Sequence, residues 1–131
     1  MTNDVIDILI RCQETASWYG QTISGLDDRN FLGDTPLHTV CSWGDPDPVA
    51  RLIAAGADVN AKGDHGCTPL FNAVIGENVG VLKLLVDAGA DVMIRSADNK
   101  LLLEYARNTR APPDVVAFLV SATKAGIRPR H

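Results

Sequence analysis

Two short patterns in this chain have the residue types of reactive sites. Cys41 follows His38 by three residues, and Cys67 follows His65 by two. A cysteine beside a histidine can serve as a nucleophile, because the thiolate is the reactive form and a neighbouring base promotes it. The same four side chains are also zinc-ligand types. A tetrahedral zinc site takes four well-spaced nitrogen or sulfur ligands, and no Cys-x-x-Cys pair occurs here. The carboxylate pairs Asp27-Asp28 and Asp45 with Asp47 sit in turn stretches, where capping and solvation account for them. No Gly-x-Gly-x-x-Gly and no Gly-Lys-Ser/Thr loop is present, so phosphate chemistry has no motif. The chain therefore does not read as an enzyme, and no cofactor or metal ion is expected.

What positions these residues is a repeat. Thr35-Pro36-Leu37 returns as Thr68-Pro69-Leu70, and Ala55-Gly56-Ala57-Asp58-Val59 returns as Ala88-Gly89-Ala90-Asp91-Val92. Both pairs share one spacing, as do Gly33 with Gly66 and Leu52 with Leu85. Each unit reads as helix, turn, helix and loop. Thr35 stands as an N-cap and Pro36 at the first helical position, where its missing N–H costs little. That helix runs to about Trp43. A Gly44-Asp45-Pro46-Asp47-Pro48 turn follows, with Pro48 opening a second helix whose apolar stripe is Val49, Leu52 and Ile53. Gly56 stands just past its end, and the connector to Cys67 reads as an extended, hairpin-like loop with Gly66 at positive φ.

The next unit repeats this plan from Thr68 to Gly89. A third begins near Ser96, with Leu101-Leu102 in place of Thr-Pro and Asn99 in place of the glycine. Its helices are expected around Leu103, Tyr105 and Ala106, and then, after Pro112-Pro113-Asp114, around Val115, Val116, Phe118, Leu119 and Val120. Ahead of the repeats, Val5, Ile6, Ile8, Leu9, Ile10, Cys12, Ala16 and Tyr19 make an amphipathic helical pattern with Asn3 or Asp4 as its cap.

Gly33-Asp34-Thr35-Pro36-Leu37-His38 and Gly66-Cys67-Thr68-Pro69-Leu70-Phe71, each followed by the Ala-Gly-Ala-Asp block, resemble the ankyrin repeat. Phe71 and Glu104 depart from the family's pattern at the histidine place. The fold class expected from the resemblance is an all-α ankyrin-repeat solenoid of helix-turn-helix units with hairpin-like loops. Residues 1–29 are expected to form capping helices or a degenerate repeat. Repeats then span 30–62, 63–95 and, as a C-terminal cap, 96–123, with 124–131 (Lys124, Gly126, Arg128, Pro129 and Arg130) as a flexible basic tail. Terminal units of a stack have one face without a neighbour, which is why they differ from internal ones.

The resemblance implies a non-catalytic protein-binding scaffold that presents loop tips and first helices on a concave surface. The family's variable binding places fall on Phe31, Leu32, Asp34, Ser42, Trp43 and Lys62. The next unit supplies Asp64, His65, Cys67, Ile75 and Arg95, and the third Ala97, Asp98, Lys100 and Asn108. Trp43 is the expected apolar anchor, because tryptophan is enriched among binding hot spots. Phe31 and Leu32 are expected to pack on the N-terminal cap. The resemblance also assigns His38 a structural role, bonding a neighbouring loop, and puts Cys41 at a small, buried place where a thiol is inert.

Composition agrees with thin helical layers. The chain has 131 residues, of which 46% are hydrophobic and only 5% aromatic, so its core must come from Ala, Val, Leu and Ile. The net charge is −4, which disfavours nucleic acid and anionic membranes as partners. Residues 1–65 hold ten acidic side chains against four basic ones. That half suits a basic partner, and Asp34, Asp64 and, from the other half, Asp98 are expected to face it. Three widely spaced cysteines imply no disulfide framework. No apolar run reaches membrane-helix length, and Asp4 and Asp7 stand where a signal peptide would be basic. A cytoplasmic location is expected on these grounds. Short stand-alone proteins of this kind resemble bacterial ankyrin proteins, some of them immunity proteins that neutralise a toxin or nuclease. A monomer is expected, with weak homodimerisation or a structural scaffold role as the rival to partner binding.

Overall fold

The computed structural model describes residues 2–126. Seven α-helices appear among them: α1 (Asn3–Gln13), α2 (Pro36–Cys41), α3 (Pro46–Ala54), α4 (Pro69–Gly76), α5 (Val79–Asp87), α6 (Leu102–Asn108) and α7 (Pro113–Ala125). Two 3₁₀ turns, Ala16–Trp18 and Asp64–Gly66, lie between them. The helices form two rows. First helices stack as α2, α4 and α6, and second helices as α3, α5 and α7, with each first helix packed on the second helix of its own unit. The hairpin-like loops hold no strand among the described residues; the one bridge pairs Arg95 with Leu101.

The core is a continuous aliphatic seam between the rows. Leu37, Val40, Val49, Leu52, Leu70, Val74, Leu82, Leu85, Leu102 and Leu119 are all buried. Burying a side chain of this size contributes roughly 1.5–3 kcal/mol. At the proline place of the third unit, Leu102 is as buried as Pro36 and Pro69. Its neighbour Leu101 occupies the N-cap position and makes no side-chain cap.

Some boundaries differ from expectation. α2 stops at Cys41, with Ser42 as its C-cap, so Trp43 lies in the turn. α3 begins at Pro46 rather than Pro48, because the Asp45 carboxylate accepts the backbone N–H of Asp47 and caps the helix two residues earlier. The cap of α1 is Thr2, whose hydroxyl accepts from Val5 N–H at 3.4 Å, not Asn3 or Asp4. α1 buries Val5, Ile8, Leu9 and Cys12 and leaves Ile6 and Ile10 exposed. Beyond it the apolar assignment also shifts. Tyr19 is 84% exposed. Trp18 is fully buried, its indole N–H donating to Thr39 Oγ1 at 2.8 Å.

α1 touches both α2 and α3. Its Asp4 binds Arg51 at 2.6 Å, and its Arg11 lies 4.6 Å over the ring of Trp43. Arg51 is late in α3 and Trp43 precedes it, so α1 runs antiparallel to α3. At the other end α7 continues to Ala125, and Gly126 closes it in the left-handed conformation. Lys124 is therefore helical and Gly126 is its helix's C-cap, and residues 127–131 of the expected basic tail lie outside the described residues.

The backbone keeps the repeat more faithfully than the side chains do. Gly33, Gly66 and Asn99 all have positive φ, and so do Gly44, Glu77 and Arg110. Close packing explains why Gly44 faces Gly76. A Cβ on Gly76 would stand 2.5 Å from the Cys41 carbonyl oxygen and 2.9 Å from Gly44 N. The ends of α2 and α4 thus meet backbone to backbone.

Candidate functional site

His38 shows how the sequence builds the surface. The helix start leaves the Thr35 N–H without an intrahelical partner, and His38, one turn in, reaches back to it. Its Nδ1 accepts that N–H at 3.1 Å. Nδ1 is therefore the unprotonated nitrogen, and Nε2–H donates to the Cys67 carbonyl at 2.9 Å. The ring is buried, and that burial lowers its pKa, against the opposing pull of the Cys67 bond and the Asp34 charge. It is a neutral brace between a helix of one unit and the loop of the next.

In the following unit Phe71 stands where His38 does. It packs edge-on to Tyr105, with ring centroids 5.4 Å apart. Thr68 then loses the partner that Thr35 has, and its buried hydroxyl makes no hydrogen bond among the described residues.

Above these braces, the loops at 63–67 and 96–101 and the helices α4 and α6 enclose a groove of about 240 Å³. Its lining includes Asp34, Asp64, His65, Ile75, Asp98 and Lys100 from the expected binding set, together with Cys67. Phe71, Asn72, Ser96 and Tyr105 complete it; these four do not follow from the family's variable places, although Tyr105 sits one repeat beyond Asn72. The carboxylates are held from inside. Asp34 Oδ1 accepts the Asp64 N–H at 2.8 Å, Asp64 Oδ1 lies 3.0 Å from His65 Nδ1, and Asp98 Oδ1 accepts from the Ser96 hydroxyl. The second oxygen of each has no protein partner among the described residues. His65 itself adopts φ of 55°, and its carbonyl accepts Ala97 N–H at 2.8 Å, which fastens one loop to the next. Ile75, 55% exposed, supplies apolar surface at the groove.

The other expected residues lie elsewhere. Ser42 donates to the Thr39 carbonyl at 2.7 Å and finishes α2. Trp43 is half-buried against the core with Arg11 on its face. Lys62 is exposed, and its carbonyl accepts from Arg29, which also bonds the Gly33 carbonyl. Arg95 bonds the Asn99 carbonyl at 3.0 Å and Glu104 at 3.3 Å, so it closes its own loop. Ala97 and Asn108 are exposed.

Phe31 and Leu32 do not pack on the N-terminal cap: they are 83% and 55% exposed. The buried Asn30 is the reason. Its side-chain oxygen accepts from the N–H groups of Leu32 and Asp34, and the tight turn so formed turns both apolar side chains outward.

In the cysteine–histidine patterns no hydrogen bond joins a cysteine sulfur to a histidine nitrogen among the described residues. Cys41 is buried in the seam, and burial pushes its thiol pKa up. Cys67 is half-buried, and its pKa is raised first by burial and then by the charges of Asp98, Asp64 and Asp34. No group of three or more His, Cys, Asp or Glu residues among the described residues is arranged to hold a metal ion. No helix among them is long and apolar enough to cross a membrane.

Comparison with known proteins agrees with the geometry. The chain is 36% identical over 95 residues to the ADP-ribosylation factor GTPase-activating protein AGD2 of Arabidopsis thaliana, covering 72% of this chain and 12% of that protein. It is 36% identical over 94 residues to the tyrosine-protein kinase HTK16 of Hydra vulgaris, covering 71% of this chain and 12% of the kinase. It is also 42% identical over 70 residues to the putative ankyrin repeat protein FPV219 of Fowlpox virus (strain NVSL), covering 53% of this chain and 16% of that one. The chain thus spans a small fraction of the curated relatives it matches. The family model described as ankyrin repeats (3 copies) matches residues 2–96. With its stacked helix pairs, its 33-residue register and its His38 brace, the chain belongs to the ankyrin-repeat family.

Proposed function

We propose that this chain is a non-catalytic protein-binding module that holds a basic partner on its concave face. The observation that carries this reading is the groove, where Asp34, Asp64 and Asp98 surround apolar and aromatic surface from Ile75, Phe71 and Tyr105. A rigid stack that is already ordered loses little conformational entropy on binding. Negative charge at the rim attracts a basic protein and speeds its encounter, an effect that salt weakens. Trp43, in the turn after α2 and with Arg11 on one face of its ring, is a separate apolar anchor outside the groove. In its most specific form the partner is a basic toxin or nuclease, and the module inhibits it in the cytoplasm.

Pull-down from the native host with mass spectrometry tests the reading. Trp43→Ala, checked for intact folding, is expected to weaken capture by about 2 kcal/mol. A loss below about 0.5 kcal/mol removes Trp43 from the interface, being within the range of near-neutral surface changes. A capture that does not weaken at raised salt, or that is indifferent to Asp64→Asn with Asp98→Asn, overturns the acidic-face reading.

Self-association is the second reading, favoured by Phe31 and Leu32 standing outward on one loop tip, with Tyr19 also exposed. The Gln21 side chain bonds the backbone of both Arg29 and Phe31 and draws these segments together. Light scattering over a concentration series with Phe31→Ser as the control decides it: a constant monomer mass excludes it.

A further inference from the structure

We infer that the groove between the 63–67 and 96–101 loops receives one arginine side chain of the partner, its guanidinium between Asp64 and Asp98 and its stem on Tyr105 and Ile75. This deepens the protein-binding reading and rests on it.

The argument is one of complementarity. The carboxylates of Asp34, Asp64 and Asp98 come from three different loops, and each uses its Oδ1 inside the protein. Each carboxylate keeps a second oxygen with no protein partner among the described residues, and all three residues line the groove. A guanidinium carries five N–H donors in a planar fork and can serve several carboxylates at once, whereas an ammonium is a compact point charge. A planar cation can also lie against the half-buried ring of Tyr105. That ring is held in place by its edge contact with Phe71. Asn72 adds a side-chain amide to the same wall.

The field inside the groove has the matching sign. The thiol of Cys67 is held above its ordinary pKa by burial and, next, by Asp98, Asp64 and Asp34 together, so all three charges reach one point. Lys100 is the opposing charge in the lining. It forms no ion pair among the described residues, but its charge acts on Asp98 and so opposes the entry of a cation.

Titration of the ¹⁵N-labelled chain with Nα-acetyl-arginine methylamide tests this by amide chemical shifts. Saturable shifts are expected at Asp64, Ala97, Asp98 and Tyr105, in the millimolar range. The citrulline analogue has the same shape without the charge and is expected to leave these amides unmoved. The lysine analogue is expected to bind more weakly than arginine. Asp98→Asn keeps the Ser96 hydrogen bond and is expected to weaken arginine binding about threefold, the size of an exposed ion pair. Lys100→Gln is expected to strengthen it.

Three results overturn the inference: no saturable shift in the groove, an equal response to citrulline, or lysine binding as tightly as arginine. Any of them leaves the broader reading standing if the natural partner still protects these amides. A partner that binds without touching the groove defeats both.

Discussion

The imidazole Nε2 of His38 lies 2.9 Å from the carbonyl oxygen of Cys67, so a side chain of one repeat ties down the loop that opens the next. The same ring satisfies the Thr35 N–H through Nδ1. Its removal leaves two backbone groups without their partner at a buried seam. His38→Ala is therefore expected to cost at least about 2 kcal/mol, read as a lower urea midpoint with an unchanged slope. A change within about 0.5 kcal/mol would show that the brace is dispensable.

His38 also sets a pH dependence. Burial holds its pKa below the ordinary histidine value, chiefly by penalising the charged form. As pH falls, the unfolded chain takes up this proton near about pH 6.5, and the folded chain only at lower pH. Between those values the unfolded state binds more protons, so stability rises with pH there. The contribution is fully present above about pH 6.5 and is lost as pH falls through the lower, folded-state pKa. Urea midpoints measured from about pH 7.5 down to 5 should decline in the lower part of that range, and His38→Gln should flatten the decline. An unchanged slope in that variant would assign the pH response to other groups.

Thr68 offers a test of the opposite sign. Its hydroxyl is buried and unpaired, because Phe71 replaces the histidine that serves Thr35. A buried polar group without a partner costs about 1–3 kcal/mol. Thr68→Val should therefore be neutral or stabilising, while Thr35→Val should destabilise by about 1 kcal/mol. Thermal unfolding of the two variants side by side checks this. Equal losses in both would mean that Thr68 has a hydrogen-bond partner after all.

Thiol reactivity separates the buried cysteines from the groove. Burial pushes the Cys12 pKa up to about 12 and raises Cys41 as well. Both should stay unlabelled by a maleimide until the protein unfolds, with Cys67 labelled first. Rapid labelling of Cys41 in the folded chain, followed by mass spectrometry, would reopen the nucleophile reading of the His38–Cys41 pair.

The repeat itself is legible in the sequence because its determinants are local. A threonine cap, a proline at the first helical position and a glycine after the second helix act within a few residues of themselves. The 33-residue spacing then requires the units to stack, since each can bury its apolar stripe only against a neighbour. The apolar stripe expected at Val49 and Leu52 is buried, as is Leu85, which repeats Leu52. The resemblance to the family, not the local signals, singled out Asp34, Asp64, His65, Ile75, Asp98 and Lys100 as loop and first-helix positions, and these line one groove.

Tertiary structure decided what depends on contacts between units and on free ends. Tyr19 and Trp18 are neighbours of similar character, and only the hydrogen bond from Trp18 to Thr39 and the fit against α2 select the second for the core. Glu77 and Arg110 take positive φ where Gly44 does. Nothing in those residue types requests that conformation, and the stacked helix ends impose it. Arg95 points to its own loop and Trp43 to Arg11 because each found a partner that no spacing rule supplies. The sequence by itself therefore determined the unit, its period and its aliphatic seam, through short-range caps and helical stripes. Only the packed structure decided that Asp34, Asp64 and Asp98 share one groove with Phe71, Asn72, Ser96 and Tyr105, because that lining joins side chains from several loops and helices whose directions in space no spacing rule supplies.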